Sequence, residues 1–269
     1  MCIRDRPDID KNSKYSTLSI VISPDNKLVA VAGEYETIYL IESDTYVIKG
    51  KIKSKGVKNS LAFSNDGKYL VYASSDKHSG VINLANFSLL HQLEKHTESV
   101  RDVSFIGNTL KFASVGKDGV LNIWNASTGI LIATHSYNHP AERVDASKNG
   151  RFIAVAYSNK KIRIYDSEEL SLIKEITEPV KEFFTLKFHP DSERLLFGGK
   201  GFSVYKMNLL NTKEPVKLFG DFSYKGMVSS ISTTREGKYV VVSSRDGILR
   251  IYEQVNFNVE SQINTESKD

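Results

Sequence analysis

The chain holds a single cysteine, Cys2, in 269 residues. One thiol can close no internal disulfide, so oxidative cross-linking is excluded as a source of stability, and a reducing compartment fits. No apolar run approaches the ~18 residues that span a bilayer as a helix. The longest burst, "YVVVSS" from Tyr239, is strand-sized. The net charge is +4 and the pI about 8.9, yet there is no block of about five or six like charges to make a nucleic-acid tail. No stretch keeps the ~3.6-residue hydrophobic period of a substantial helix. The chain also lacks a phosphate-binding GxxxxGK[ST] loop and a GxSxG nucleophile elbow, which removes two common routes to catalysis.

What the chain does have is a repeat. The segments "ISPDNKLVAVAG", "FSNDGKYLVYAS", "FIGNTLKFAS", "ASKNGRFIAVAY", "FHPDSERLLFGG" and "TTREGKYVVVSS" begin at Ile22, Phe63, Phe105, Ala146, Phe188 and Thr233, at spacings of 41, 42, 41, 42 and 45 residues. Each unit opens with an alternating segment such as "SVRDVSF", whose period of two puts apolar side chains on one strand face. A turn rich in Asn, Asp and Gly follows, supplying residues that tolerate the left-handed conformation of tight hairpins. A β-branched strand, a second turn, a third strand such as "VLNIWN" and a more polar fourth strand complete the unit. Four short strands per ~42 residues form a small twisted sheet that cannot bury both of its faces alone, so neighbouring units must cover them.

The third unit, "KHTESVRDVSF" followed by "FASVGKDGVLNIWN", resembles the WD-repeat β-propeller family, with Lys95 and Asn125 standing where that family has its Gly and final Asp. The resemblance covers residues 17–263. It implies an all-β propeller of four-stranded antiparallel blades, six of them visible, at about 17–55, 56–95, 96–137, 138–178, 179–222 and 223–263. We expect a seven-blade or larger propeller truncated at its amino end, with residues 7–16 a linker or remnant and 264–269 a polar tail. The resemblance further implies that His96, Ser114, Asp118 and Trp124 form a hydrogen-bonded structural tetrad. In the other units the Trp position reads as Tyr165, Tyr252, Ile41, Ala85 and Tyr205, and the turn Asp survives as Asp118 and Asp246.

The candidate chemistry is sparse. His135 and His139 lie four apart but in a strand end and a loop, where they do not converge as they would on a helix, so no metal and no cofactor is expected. Three residues before each repeat anchor stand Ser19, Ser60, Asp102, Arg143, Thr185 and Ser230. Four hydroxyl residues suit a crowded inner ring, and Asp102 with Arg143 reads as an ion pair between neighbouring blades. The loops of one face carry mixed charge. Arg101, Asp102, Arg143, Lys117, Lys181 and Arg245 are the candidate partner-binding residues. We expect a non-catalytic scaffold for a protein or peptide partner, monomeric as a domain, without nucleic acid or a membrane segment, and with the cytoplasm favoured. The alternatives are a lactonase-like propeller hydrolase with a site at the channel mouth, and a sensor domain whose amino-terminal effector lies elsewhere.

Residues 1–6, "MCIRDR", resemble the translation of a transposase mosaic-end adapter used in sequencing libraries (ATG TGT ATA AGA GAC AG). Such a scar is set aside from fold reasoning, and Cys2 with it.

Overall fold

A computed structural model describes residues 16–177, 183–199, 204–208, 216–219, 228–253 and 259–264, with the backbone alone along 204–208, 216–219 and 259–264. Six sheets each hold four antiparallel strands in simple sequence order. Blade 1 is β1 (Thr17–Ile22), β2 (Leu28–Gly33), β3 (Thr37–Glu42) and β4 (Ile48–Lys53). Blade 2 is β5 (Lys58–Phe63), β6 (Tyr69–Ser74), β7 (His78–Asn83) and β8 (Ser88–Glu94). Blade 3 is β9 (Val100–Phe105), β10 (Lys111–Gly116), β11 (Val120–Asn125) and β12 (Leu131–Ser136). Blade 4 is β13 (Ala141–Ala146), β14 (Phe152–Tyr157), β15 (Lys161–Asp166) and β16 (Leu172–Thr177). Blade 5 is β17 (Phe183–Phe188), β18 (Arg194–Gly199), β19 (Val204–Asn208) and β20 (Val216–Phe219). Blade 6 is β21 (Val228–Thr233), β22 (Tyr239–Ser244), β23 (Ile248–Glu253) and β24 (Val259–Asn264).

The first turn of every blade places one residue at positive φ: Asn26, Gly67, Gly107, Gly150, Ser192 and Gly237. In three of these turns a serine ties the hairpin. Ser23, Ser64 and Ser147 donate to Asp25, Asp66 and Asn149 at 2.6, 2.6 and 2.7 Å. The same hydroxyls accept the N–H of Leu28, Tyr69 and Phe152 at 2.9 Å. Local side-chain bonding of this kind makes the Asn/Asp/Gly clusters chain-reversal signals.

The apolar cores lie between blades. One joins Ala30, Ile38 and Leu40 of blade 1 to Leu61, Leu70 and Tyr72 of blade 2, and similar clusters join each later pair. Packing runs from each blade to the next, while no comparable packing joins blade 6 to blade 1 among the described residues.

The inner column is a ladder between blades. Ser19 Oγ accepts the N–H of Leu61 at 3.1 Å, Asp102 Oδ2 that of Val144 at 3.0 Å, and Thr185 Oγ1 that of Ile231 at 3.0 Å. One layer along the strands, Ser104 Oγ accepts from Ala146 at 3.3 Å and Asp145 Oδ2 from Phe188 at 2.7 Å. Each bond satisfies a backbone donor that would otherwise be orphaned at the blade junction. The ion pair expected of Asp102 and Arg143 is not formed at contact distance. Arg143 Nε donates to the carbonyl of Phe184 at 2.7 Å, so both side chains bind the backbone of the blade ahead. Burial pushes the Asp102 carboxyl up, and the charge of Arg143 offsets part of that.

Candidate functional site

In an antiparallel meander, the loops from fourth to first strands and from second to third strands emerge at one end of the sheets. Backbone bonds tie the two sets together: Lys117 N donates to Ser99 O, Ser75 N to Val57 O, and Ser158 N to Pro140 O, each at 2.9 Å. Side-chain latches under these loops hold the face in shape.

Blade 3 has the fullest latch. Trp124 Nε1 donates to Ser114 Oγ at 3.0 Å, and Ser114 lies 2.9 Å from His96 Nε2. His96 Nδ1 lies 2.9 Å from Asp118 Oδ2. An indole N–H can only donate, so the Ser114 proton is free to go to Nε2, which leaves the imidazole proton on Nδ1 facing Asp118. Burial alone would raise the Asp118 carboxyl. The hydrogen bond and attraction of His96, with the N–H groups of Val120 and Thr97, outweigh it and hold the group below its usual 3.8. A carboxyl with a depressed folded pKa stabilises the fold above its unfolded pKa, and that contribution drains away as pH falls through the folded value. The melting-temperature advantage of the parent chain over Asp118→Asn is therefore expected to be full above about pH 5 and to shrink below 3.8. An advantage that stays flat across an acid titration of both chains would contradict this.

The other blades build latches from different residues, which register identifies and spacing did not. Trp124 pairs with Phe112, the second residue of β10. The matching partners in blades 2 and 5 are Ile82 on Leu70 and Met207 on Leu195, so Ile82 and Met207, not Ala85 and Tyr205, hold the Trp position. Ala85 lies beyond the end of β7. Asp76 sits two residues past β6, as Asp118 does past β10 and Asp246 past β22, a third turn Asp found by counting from strand ends. In blade 4 the residue four before the first strand, as His96 is, is Tyr137. Asn159 Nδ2 donates to its hydroxyl at 3.1 Å, and the Arg163 guanidinium lies 4.0 Å from its ring centre. In blade 2, Ser54 and Tyr72 pair through their hydroxyls at 3.0 Å. Beneath them, fully buried Lys58 donates to the carbonyls of Ser54 at 2.8 Å and Gly56 at 2.6 Å, and to that of Lys55. Burial pushes this ammonium below its ordinary range.

The latches decide which charges of the face lie outermost, because they draw its turn carboxylates inward: the side chains of Asp118, Asp246 and Asp76 are 4, 17 and 26% exposed. Asp118 is held by His96, Asp246 by Arg250 at 2.8 Å, and Asp76 lies 3.4 Å from His78. Glu142 lies 3.5 Å from Arg101, which is itself about one-third exposed at the start of β9. Against these, the second turns of blades 2, 3, 4 and 6 each project one exposed cation: Lys77, Lys117, Lys160 and Arg245. Among the described residues none of the four is held by a carboxylate. Exposed Glu34 and Glu36 sit on blade 1 and exposed Glu98 on the loop into blade 3, so the field is graded rather than uniform. Of the candidate partner-binding residues, Lys117 and Arg245 are exposed on this face, while Arg101, Asp102 and Arg143 sit at the inner strands with the bonds already given. Lys181 lies outside the described residues. No group of three or more His, Cys, Asp or Glu among the described residues could hold a metal. Among the described residues no helix is long and apolar enough to cross a membrane.

Comparison with known proteins agrees with this architecture. The family described as "WD domain, G-beta repeat" matches at residues 43–79, 87–125 and 215–253, the second stretch ending one residue past Trp124. The chain is similar to a protein named serine-threonine kinase receptor-associated protein. It is 24% identical to the Gallus gallus form over 203 residues, 74% of this chain and 55% of the relative. It is 22% identical to the Mus musculus and Homo sapiens forms over 205 residues, 75% of this chain and 56% of each relative. The chain thus spans just over half the length of these curated relatives.

Proposed function

We propose that this array of WD repeats is a non-catalytic docking scaffold whose loop face takes a protein or peptide segment rich in acidic side chains. One observation carries the reading: Lys77, Lys117, Lys160 and Arg245 are exposed one per blade, while the carboxylates beneath them are occupied by His96, Arg250, Arg101 and His78. A face built in this way presents its cations outermost on a rigid frame. Such a frame loses little conformational freedom on binding, and its charge complementarity sets partner choice and encounter rate. The inner carboxylates do not form a catalytic constellation, because Asp102 and Asp145 are taken up by the backbone N–H groups of Val144 and Phe188. The relatives' name speaks of association with a serine-threonine kinase receptor, which supports an interaction role.

The test is binding of a fluorescent oligo-glutamate peptide at low salt. Reversing all four cations (Lys77→Glu, Lys117→Glu, Lys160→Glu, Arg245→Glu) is expected to weaken binding about ten-fold or more, with each tenfold worth ~1.4 kcal/mol. Reversing Lys27, Lys68 and Lys148 in the first turns, at the opposite end of the sheets, is expected to change it little. Equal losses in the two variants would leave only net charge and sink the reading.

A further inference from the structure

We infer that β12, the outermost strand of blade 3, is an open edge that pairs antiparallel with the β12 of a second copy of this chain, with a two-fold axis at Thr134. The strand order in blade 3 is β12-β11-β10-β9, so β12 bonds to β11 on one side and, among the described residues, to no strand on the other. Such an edge is a template for a further strand unless charge or proline guards it.

The fourth strands of the other blades are all guarded by charge. They hold Lys49, Lys51 and Lys53 in β4, Glu94 in β8, Lys174 and Glu175 in β16, Lys217 in β20 and Glu260 in β24. β12 reads "LIATHS" and has no Lys, Arg, Asp, Glu or Pro. Its one titratable side chain, His135, packs its ring 4.9 Å from that of Tyr165. Ile132 is 46% exposed, with Thr134 and Ser136 exposed at alternate positions beyond it.

The backbone gives the register. Tyr137 N donates to Gly119 O at 2.9 Å, so the bonding groups of Tyr137 point inward. Alternation along an antiparallel strand then turns those of Ser136 and Thr134 outward, to the open edge. A bulge beside Leu131 ends regular pairing at the other end, which leaves Ile132 to Ser136 as the usable edge and Thr134 as its midpoint. An axis there sets Thr134 against Thr134, a pair able to exchange both backbone bonds, and Ile132 against Ser136. Threonine opposite threonine is a favourable cross-strand pair, and no like charges meet. Lys51 stands opposite Tyr39 in β4 as Thr134 stands opposite Asn122, so the same construction there sets Lys51 on Lys51 and Lys49 on Lys53. In β16 it sets Glu175 on Glu175. Charge therefore permits self-pairing at β12 and opposes it at these other edges. Because the paired strands run in opposite directions, the dimer holds its two loop faces at opposite ends.

Sedimentation velocity over a range of protein concentrations tests this. The parent chain, 30.2 kDa as a monomer, is expected to sediment as a dimer. Thr134→Lys and Thr134→Glu each set like charges on the axis and are expected to weaken the dimer about ten-fold or more, without moving the melting temperature of this exposed site. An equimolar mixture of the two variants is expected to reassociate, because lysine then faces glutamate. Lys51→Glu in β4 is expected to leave the dimer intact. In the parent chain, protection of the Thr134 and Ser136 amides is expected to rise with concentration, a readout that needs no variant. A parent chain that stays monomeric throughout, a dimer that Thr134→Lys leaves intact, a mixture that does not reassociate, or amides whose protection ignores concentration would overturn the inference.

Discussion

Trp124→Ala is expected to remove about 3–5 kcal/mol from the stability of the blade 2–blade 3 region. The indole is 5% exposed and packs with Val71, Val81, Val103 and Phe112, so its loss opens a cavity at a junction between two blades. It also leaves Ser114 without the donor that orients it toward His96. Trp124→Phe keeps most of the volume and loses the hydrogen bond, so it is expected to cost about 1–2 kcal/mol. Trp124 is the only tryptophan in the chain, so intrinsic fluorescence cannot follow these variants. Urea unfolding read by far-ultraviolet circular dichroism, with hydrogen exchange at β10 and β11, is the measurement. Among the described residues the packing runs from each blade to the next, and loosening is therefore expected first at blades 2 and 3. Uniform loss of protection along the whole array would show that the latch acts globally.

Gly119→Ala is the second large effect, argued against a matched control. Gly119 sits at φ +74°, and a Cβ built there would lie 2.1 Å from the carbonyl oxygen of Tyr137. The obstacle is backbone, and it is fixed, because Tyr137 N donates to Gly119 O at 2.9 Å. Relief of the clash must move the loop into blade 4, adding about 1–3 kcal/mol to the ~1–2 kcal/mol of the left-handed conformation itself. Gly67 has nearly the same φ, +70°, with nothing within 4 Å of the same position. Gly67→Ala is expected to cost only the conformational part, about 1–2 kcal/mol. Equal melting-temperature losses for the two would show that strain, and not the close approach of the Tyr137 loop, sets the cost.

Residues 1–6 and 7–15 lie outside the described residues, as do 265–269, but β1 starts at Thr17 as the repeat implied. That strand carries the aliphatic pattern of a covered strand while standing uncovered.

The sequence by itself determined the unit and its repetition. A hairpin needs an alternating strand, a residue that tolerates positive φ, and a β-branched return, and these are local signals within about twenty residues. Hence the four-stranded units, the positions of their first turns and the blade 3 staple were all legible. The tertiary structure decided three other things. Register fixed Ile82 and Met207, and the observed strand ends fixed Asp76 and Tyr137, in the latch positions, because bulges and loops of unequal length shift a count made along the repeat but not one made across a strand pair or from a strand end. Blade-to-blade bonding turned Asp102 and Arg143 from an apparent ion pair into backbone ligands of the next blade. Charge on the loop face depended on which carboxylates were already taken, and composition cannot show that: Asp118 and Glu98 read alike until one is found against His96 and the other in water. The physical reason is common to all three. Strand periodicity is written in neighbours along the chain, whereas ladder bonding and cover are properties of neighbours about forty residues away, and the His96–Asp118 latch of neighbours 22 apart, brought together only when the sheets form and the blades pack.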